Sequence, residues 1–252
     1  LTLLVAIGIY IGIRKTPLHT HFIILTLLGD SEHFDAAAAP EFNIPESDEV
    51  FPVRTSSRQS AKSFDDIVDK PGKDLDDADV VVIYLQTQIV AGADGDFYCL
   101  TKNTSPDLSP PSQYERLSAL KEQLKKLCDG SKANVILIVD RPTTVQDQRL
   151  GDLGADFVTE LLNWPKDEEL SELVVMVSAA TGQHSAPGHG RTAFGQAVMR
   201  GFSKLAAGDD AELKISEFCQ FVEQETDHWV RHHRHPDGQN VQIAQGSAGD
   251  FT

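Results

Sequence analysis

Three runs of six or seven residues, 80–85 (VVVIYL), 134–140 (NVILIVD) and 173–178 (LVVMVS), are apolar at nearly every position and rich in β-branched side chains. A run this short falls below helix length and β-branching favours extended backbone, so each reads as a strand covered on both faces. The stretch 21–28 (HFIILTLL), stopped by Gly29-Asp30, reads the same way and comes first. Between and after these runs the apolar spacing turns helical. Leu117, Leu120, Leu124 and Leu127 share one face over 113–128, and Leu150, Leu153, Phe157 and Leu161 follow the run 134–140. Further helices are predicted over 192–206 and over 213–234, the latter with Ile215, Phe218, Phe221, Val222 and Trp229 facing a sheet. Strands alternating with helices at this spacing call for right-handed crossovers. The fold class is therefore α/β, one domain with a mostly parallel β-sheet flanked by helices on both faces.

Smaller elements fill the gaps. Residues 89–100 place Gly92, Asp94 and Gly95 between apolar ends, which predicts a hairpin. Residues 241–244 predict an edge strand. The segment 30–79 carries 14 acidic and 5 basic residues and reads as mostly solvated surface, with a strand near Phe51 and a short helix over 61–68.

Charge excludes one class of partner. The chain has 22 Lys and Arg against 38 Asp and Glu, a net charge of −16, whereas phosphate binding needs clustered cations, so no nucleic acid partner is expected. Cys99, Cys128 and Cys219 form no CxxC pair and read as buried, inert thiols. Gly182 to Gly190 lacks the spacing and the lysine of a phosphate loop, and no cofactor is expected.

The opening residues 1–13 (LTLLVAIGIYIGI) carry no charge and are closed by Arg14-Lys15. At about 1.5 Å per residue they reach about 20 Å, short of a roughly 30 Å bilayer core. Because the sequence starts at Leu1, this run reads chiefly as the trailing part of a truncated transmembrane helix over 1–15, with a signal-peptide core or a buried strand or helix as the other readings. A link and first strand over 16–29 follow, then a domain over 20–250. The expectation is a single-pass membrane protein, its soluble part leaning to the cytoplasmic side by the charge rule.

In open parallel sheets, function gathers at the carboxyl ends of the strands. Here those ends read Gln86-Thr87-Gln88-Ile89, Asp140-Arg141-Pro142-Thr143-Thr144 and Ser178-Ala179-Ala180-Thr181-Gly182-Gln183-His184-Ser185. Together with the hairpin Asp94-Gly95-Asp96-Phe97-Tyr98-Cys99-Leu100, the segment Gly190-Arg191-Thr192-Ala193-Phe194-Gly195 and the closing Gln239, Gln242, Gly246 and Asp250, this ordered set resembles the caspase-like cysteine peptidases, in particular their bacterial and metacaspase-type branch. The resemblance implies a caspase-like fold, and the family's habit of pairing through sheet edges allows a homodimer.

The same resemblance implies that the peptidase dyad is missing. The family's catalytic His falls at Gln88 and its nucleophilic Cys at Pro142, 142 − 88 = 54 positions on, near the family's separation of roughly 50. Gln88 cannot act as a base and Pro142 cannot attack a carbonyl. The family's oxyanion donors fail too, since proline has no N–H and the glycine after the His is replaced by Ile89. No catalytic residue is therefore expected, and Asp140 reads as a loop-bonding acid. Gln86, Asp140, Arg141, His184 and Ser185 remain as candidate groove residues for a protein or peptide partner.

Two other readings compete. His184 and Ser185 adjoin at a strand end, where a hydrolase would need a base beside a hydroxyl. His228 and His232, one helical turn apart, are weak metal candidates, read chiefly as a polar helix end with Arg231, Arg234, His233 and His235. The second reading is a receiver-like or ligand-sensing α/β module, for which Asp140 with Arg141 and Pro142 beside it is a poor acidic pocket.

Overall fold

The β-branched runs become the centre of the sheet. They form β3 (Val80–Gln86), β7 (Asn134–Asp140) and β8 (Leu173–Val177), preceded by β1 (His19–Thr26) and β2 (Arg54–Ala61). The computed structural model describes residues 19–26, 54–61, 64, 80–92, 94–100, 115–131, 133–141, 156–188, 192–202, 214–233 and 238–247, with 19–26 and 54–61 as backbone only. Between β3 and β7 come three short strands, β4 (Ile89–Ala91), β5 (Phe97–Cys99) and β6 (Glu115–Arg116), and helix α1 (Leu117–Ser131). Then follow α2 (Phe157–Asn163), α3 (Ala193–Arg200), α4 (Ile215–His232) and β9 (Gln242–Gln245).

The main sheet has the order β2-β1-β3-β7-β8-β9, parallel throughout except for β9, which runs antiparallel to β8 at the edge. Strand alternation sorts its side chains into two cores. Val81, Ile83, Leu85, Val135, Leu137, Val139, Val175 and Val177 pack with Leu117, Leu120 and Leu124 of α1 and Phe157 and Leu161 of α2. Val80, Val82, Ile136, Ile138, Val174 and Met176 pack on the other face with Phe194 and Val198 of α3 and Ile215, Phe218 and Val222 of α4. The α/β architecture with helices on both faces is thus observed.

The hairpin forms as predicted, with Ile89 opposite Cys99 and Ala91 opposite Phe97. Its turn needs a glycine, because Gly95 sits at φ +84°, where a side chain is strained.

Several expectations shift. The strand placed near Phe51 lies at Arg54–Ala61, and Ala61 ends that strand instead of opening a helix. Its sequence, RTSSRQSA, has no apolar alternation to read; parallel backbone pairing to β1 holds it at the edge. The helix expected from 113 starts at Leu117, because Glu115 and Arg116 pair with Cys99 and Tyr98 of the hairpin. Leu150, Leu153 and residues 203–206 lie outside the described residues, as does the opening run 1–15. Among the described residues no helix is long and apolar enough to cross a membrane.

Candidate functional site

The site begins with strand parity. Asp140 closes β7 on the face of α3 and α4, in register with Gln86 of β3, and Tyr84 lies two positions earlier on that same face. Asp140 is fully buried, so its carboxylate must be satisfied from within the protein. Oδ2 accepts hydrogen bonds from Tyr84 Oη at 2.6 Å and from Thr192 Oγ1 at 2.6 Å, and Oδ1 accepts one from Ser185 Oγ at 2.7 Å. Burial pushes this carboxyl up from its ordinary value of 3.8, and the bonds from Thr192, Tyr84 and Ser185 pull it back in part.

The hydroxyls form an ordered relay. Ser178 Oγ accepts the Arg141 N–H at 3.0 Å and lies 2.6 Å from Ser185 Oγ. A hydroxyl has one proton; Ser185 spends its own on Asp140, so Ser178 donates to Ser185. Thr192 also caps α3, accepting the Gly195 N–H at 2.8 Å. Gln239 closes the far side, donating to the Ser178 carbonyl at 2.7 Å and accepting the Ala186 N–H at 2.7 Å. Its carboxamide ties the segment before β9 to the loop between β8 and α3.

Gly195 shows how tight the cluster is. A Cβ there would stand 2.8 Å from Tyr84 Oη, 3.1 Å from Thr192 Oγ1 and 3.3 Å from Asp140 Oδ2. Alanine is the better helix former by about 1 kcal/mol, but overpacking costs about 1–3 kcal/mol, and Tyr84 cannot retreat without losing Asp140. Gly195→Ala is therefore expected to lower the urea midpoint; an unchanged or raised midpoint would show that the cluster yields.

The remaining candidates fall elsewhere. Arg141 is 1% exposed and turns to the opposite face, its guanidinium 4.7 Å from the Phe157 ring centroid and donating from Nη1 to the Gln183 carbonyl at 3.2 Å. Ser185 is wholly buried and His184 half-buried. Gln86, Asp140 and Ser185 therefore come together in a sealed polar cluster, with Arg141 beyond it. Among the described residues the Ser185 hydroxyl is wholly covered.

Gln88 is buried in the turn after β3, its carbonyl accepting the Leu100 N–H at 2.8 Å and the Thr87 hydroxyl at 3.0 Å. Ile89 fills the core opposite Cys99. Pro142 lies outside the described residues. All three cysteines are buried and none forms a disulfide; burial pushes the Cys128 thiol up to about 12 and raises that of Cys99 further. His228 and His232 are exposed at the end of α4, and among the described residues no group of three or more His, Cys, Asp or Glu side chains is placed to hold a metal.

Tyr84 and Thr192 were not among the candidates read from sequence, although strand parity alone puts Tyr84 on the face of Asp140. Thr192 carried the signal of a helix cap before an apolar run.

No protein-family model and no curated protein sequence matches the chain. Among solved structures, caspase-1 from Spodoptera frugiperda is similar with a TM-score of 0.51 at 12% identity, over 95% of this chain and 94% of that one. A structure of pro-sf-caspase-1 gives a TM-score of 0.45 at 11% identity, over 92% and 89%. The fold is caspase-like: a mixed α/β domain with a sheet of mostly parallel strands. At this identity the likeness concerns the fold alone.

Proposed function

We propose that this caspase-like domain is a catalytically inactive member of the bacterial, metacaspase-type branch, anchored to a membrane by its N-terminal run and acting as a binding or regulatory module for a protein or peptide partner. The observation that carries this reading is Gln88, buried in the turn where the resemblance puts the peptidase base and followed by a core isoleucine in place of glycine. A carboxamide takes no proton near neutral pH, so no thiol or hydroxyl is activated from that position. The partner meets the loop between β8 and α3. Its Thr181, Gly182 and Pro187 are exposed, while Asp140, Ser178 and Gln239 hold its base. A second copy pairs along the open edge of β9. No nucleic acid and no cofactor enters this reading.

The test is cleavage of a peptide library with Arg, Lys or Asp at the cut site, beside labelling by a thiol-directed peptide probe, on chain shown folded by circular dichroism. Both are expected to be silent, the second because a buried thiol with a raised pKa supplies little thiolate. Cleavage that survives replacement of all three cysteines would overturn the inactive reading and move suspicion to His184 and Ser185. The anchor is read out separately: the expressed chain is expected to sediment with membranes and resist alkaline carbonate, and release by carbonate would refute it.

A further inference from the structure

The last turn of α4 carries imidazoles that play no part in the strand-end cluster. His228 and His232 stand four positions apart on one helix face, both exposed, with rings 12° from parallel and centroids 6.1 Å apart. The carboxylate on this turn, Asp227, is already engaged by Arg231 at 2.8 Å. His233 is occupied differently, stacked on Trp229 at 3.9 Å with Nδ1 2.9 Å from the Trp229 carbonyl. Two imidazoles on one face thus present themselves to solvent together.

We propose that His228 and His232 form a surface chelate for a divalent transition ion of the copper, nickel or zinc class, with water completing its coordination. Metal–imidazole bonds of about 2.0–2.1 Å put each ring centre about 3.2 Å from the ion, so two rings held at roughly 90–110° to one another lie about 4.5–5.2 Å apart. A small swing of two exposed side chains from 6.1 Å reaches that range. Imidazole selects this class over magnesium and calcium, which take oxygen ligands, and copper should bind more tightly than nickel or zinc. The site is not catalytic in this proposal. Val230 and Trp229, on the same turn, pack with Ala186 and Ala193 beside Ser185 and Thr192. A bound ion therefore stiffens the helix end that braces the loop between β8 and α3.

The experiment is calorimetric titration of nickel chloride into the full chain, repeated with copper and magnesium chloride. One equivalent is expected to bind in the native protein, more tightly for copper and with no heat of binding for magnesium. That step should vanish in His228→Ala and in His232→Ala and persist in His233→Ala. The replaced side chains are exposed, and circular dichroism checks that the fold is kept. Absence of the step in the native chain, its survival in the His228→Ala/His232→Ala double variant, or its loss in His233→Ala would each overturn the assignment.

Discussion

Asp140→Ala is expected to lower the free energy of unfolding by about 3 kcal/mol and the thermal midpoint by about 6–12 °C. The carboxylate is the common acceptor for hydroxyls from three elements: Tyr84 of β3, Ser185 of the loop after β8 and Thr192 at the cap of α3. Removing it takes this acceptor from two buried hydroxyls, Ser185 and Thr192, and from the half-buried Tyr84, each bond worth about 1–3 kcal/mol. Against this stands the relief of no longer burying a carboxylate, which keeps the loss below the sum. Urea unfolding reads it out, and a loss under about 1 kcal/mol would mean that the hydroxyls find other acceptors.

The pH dependence of the same residue has a definite sign. Because burial raises the Asp140 carboxyl above 3.8, the folded chain holds this proton to higher pH than the unfolded chain does. Its contribution is whole below the unfolded value and is lost as pH rises through the folded one. Asp140→Asn removes the titration. The unfolding free energy of the native protein minus that of this variant is therefore expected to fall as pH rises from about 3.8, then to level off. Asp94 and Asp156 run the other way: Tyr98 and Thr159, respectively, hold their carboxyls low, so their contributions are lost as pH falls. Both are common to the two proteins and cancel in the difference. A difference that grew with pH would contradict a raised carboxyl.

Why the sheet was readable and the cluster was not follows from how each is encoded. A strand buried on both faces needs apolar residues at every position, so β3, β7 and β8 appear in the sequence to within a residue. The edge strand β2 is held by backbone pairing, which any side chain permits, and RTSSRQSA left no periodic trace. The caspase-like fold was legible from ordered strand-end segments, each short and weak alone. The Asp140 cluster joins residues 56, 45 and 52 positions apart. Such convergence depends on register between strands and on where α3 docks, neither of which a local pattern records. In the sequence Gln239 stands only in a closing motif. Its pairing with Ser178 and Ala186 appears once β9 turns back along β8.

Arg141→Met is expected to raise the free energy of unfolding by about 1–4 kcal/mol. The guanidinium is buried at 1% exposure, and no ion pair to a carboxylate forms among the described residues. Among the described residues the guanidinium donates from Nη1 to the Gln183 carbonyl, and Nε meets no hydrogen-bond partner. Burial holds the group below its ordinary pKa. Stacking on Phe157 at 4.7 Å returns about 2 kcal/mol in a desolvated setting, against an effective penalty of several kcal/mol for burying an ion. Methionine keeps the length and the aromatic contact through its sulfur without the charge. Arg141→Ala, by contrast, leaves a cavity beside Phe157 and is expected to fall below the methionine variant. If Arg141→Met proved destabilising by more than about 1 kcal/mol, the guanidinium would have to be paid for by an anion, and the folded chain in solution would hold one there. If it is stabilising, the fold does not need this arginine, and a loss of partner binding in that same stable variant would place its role in recognition.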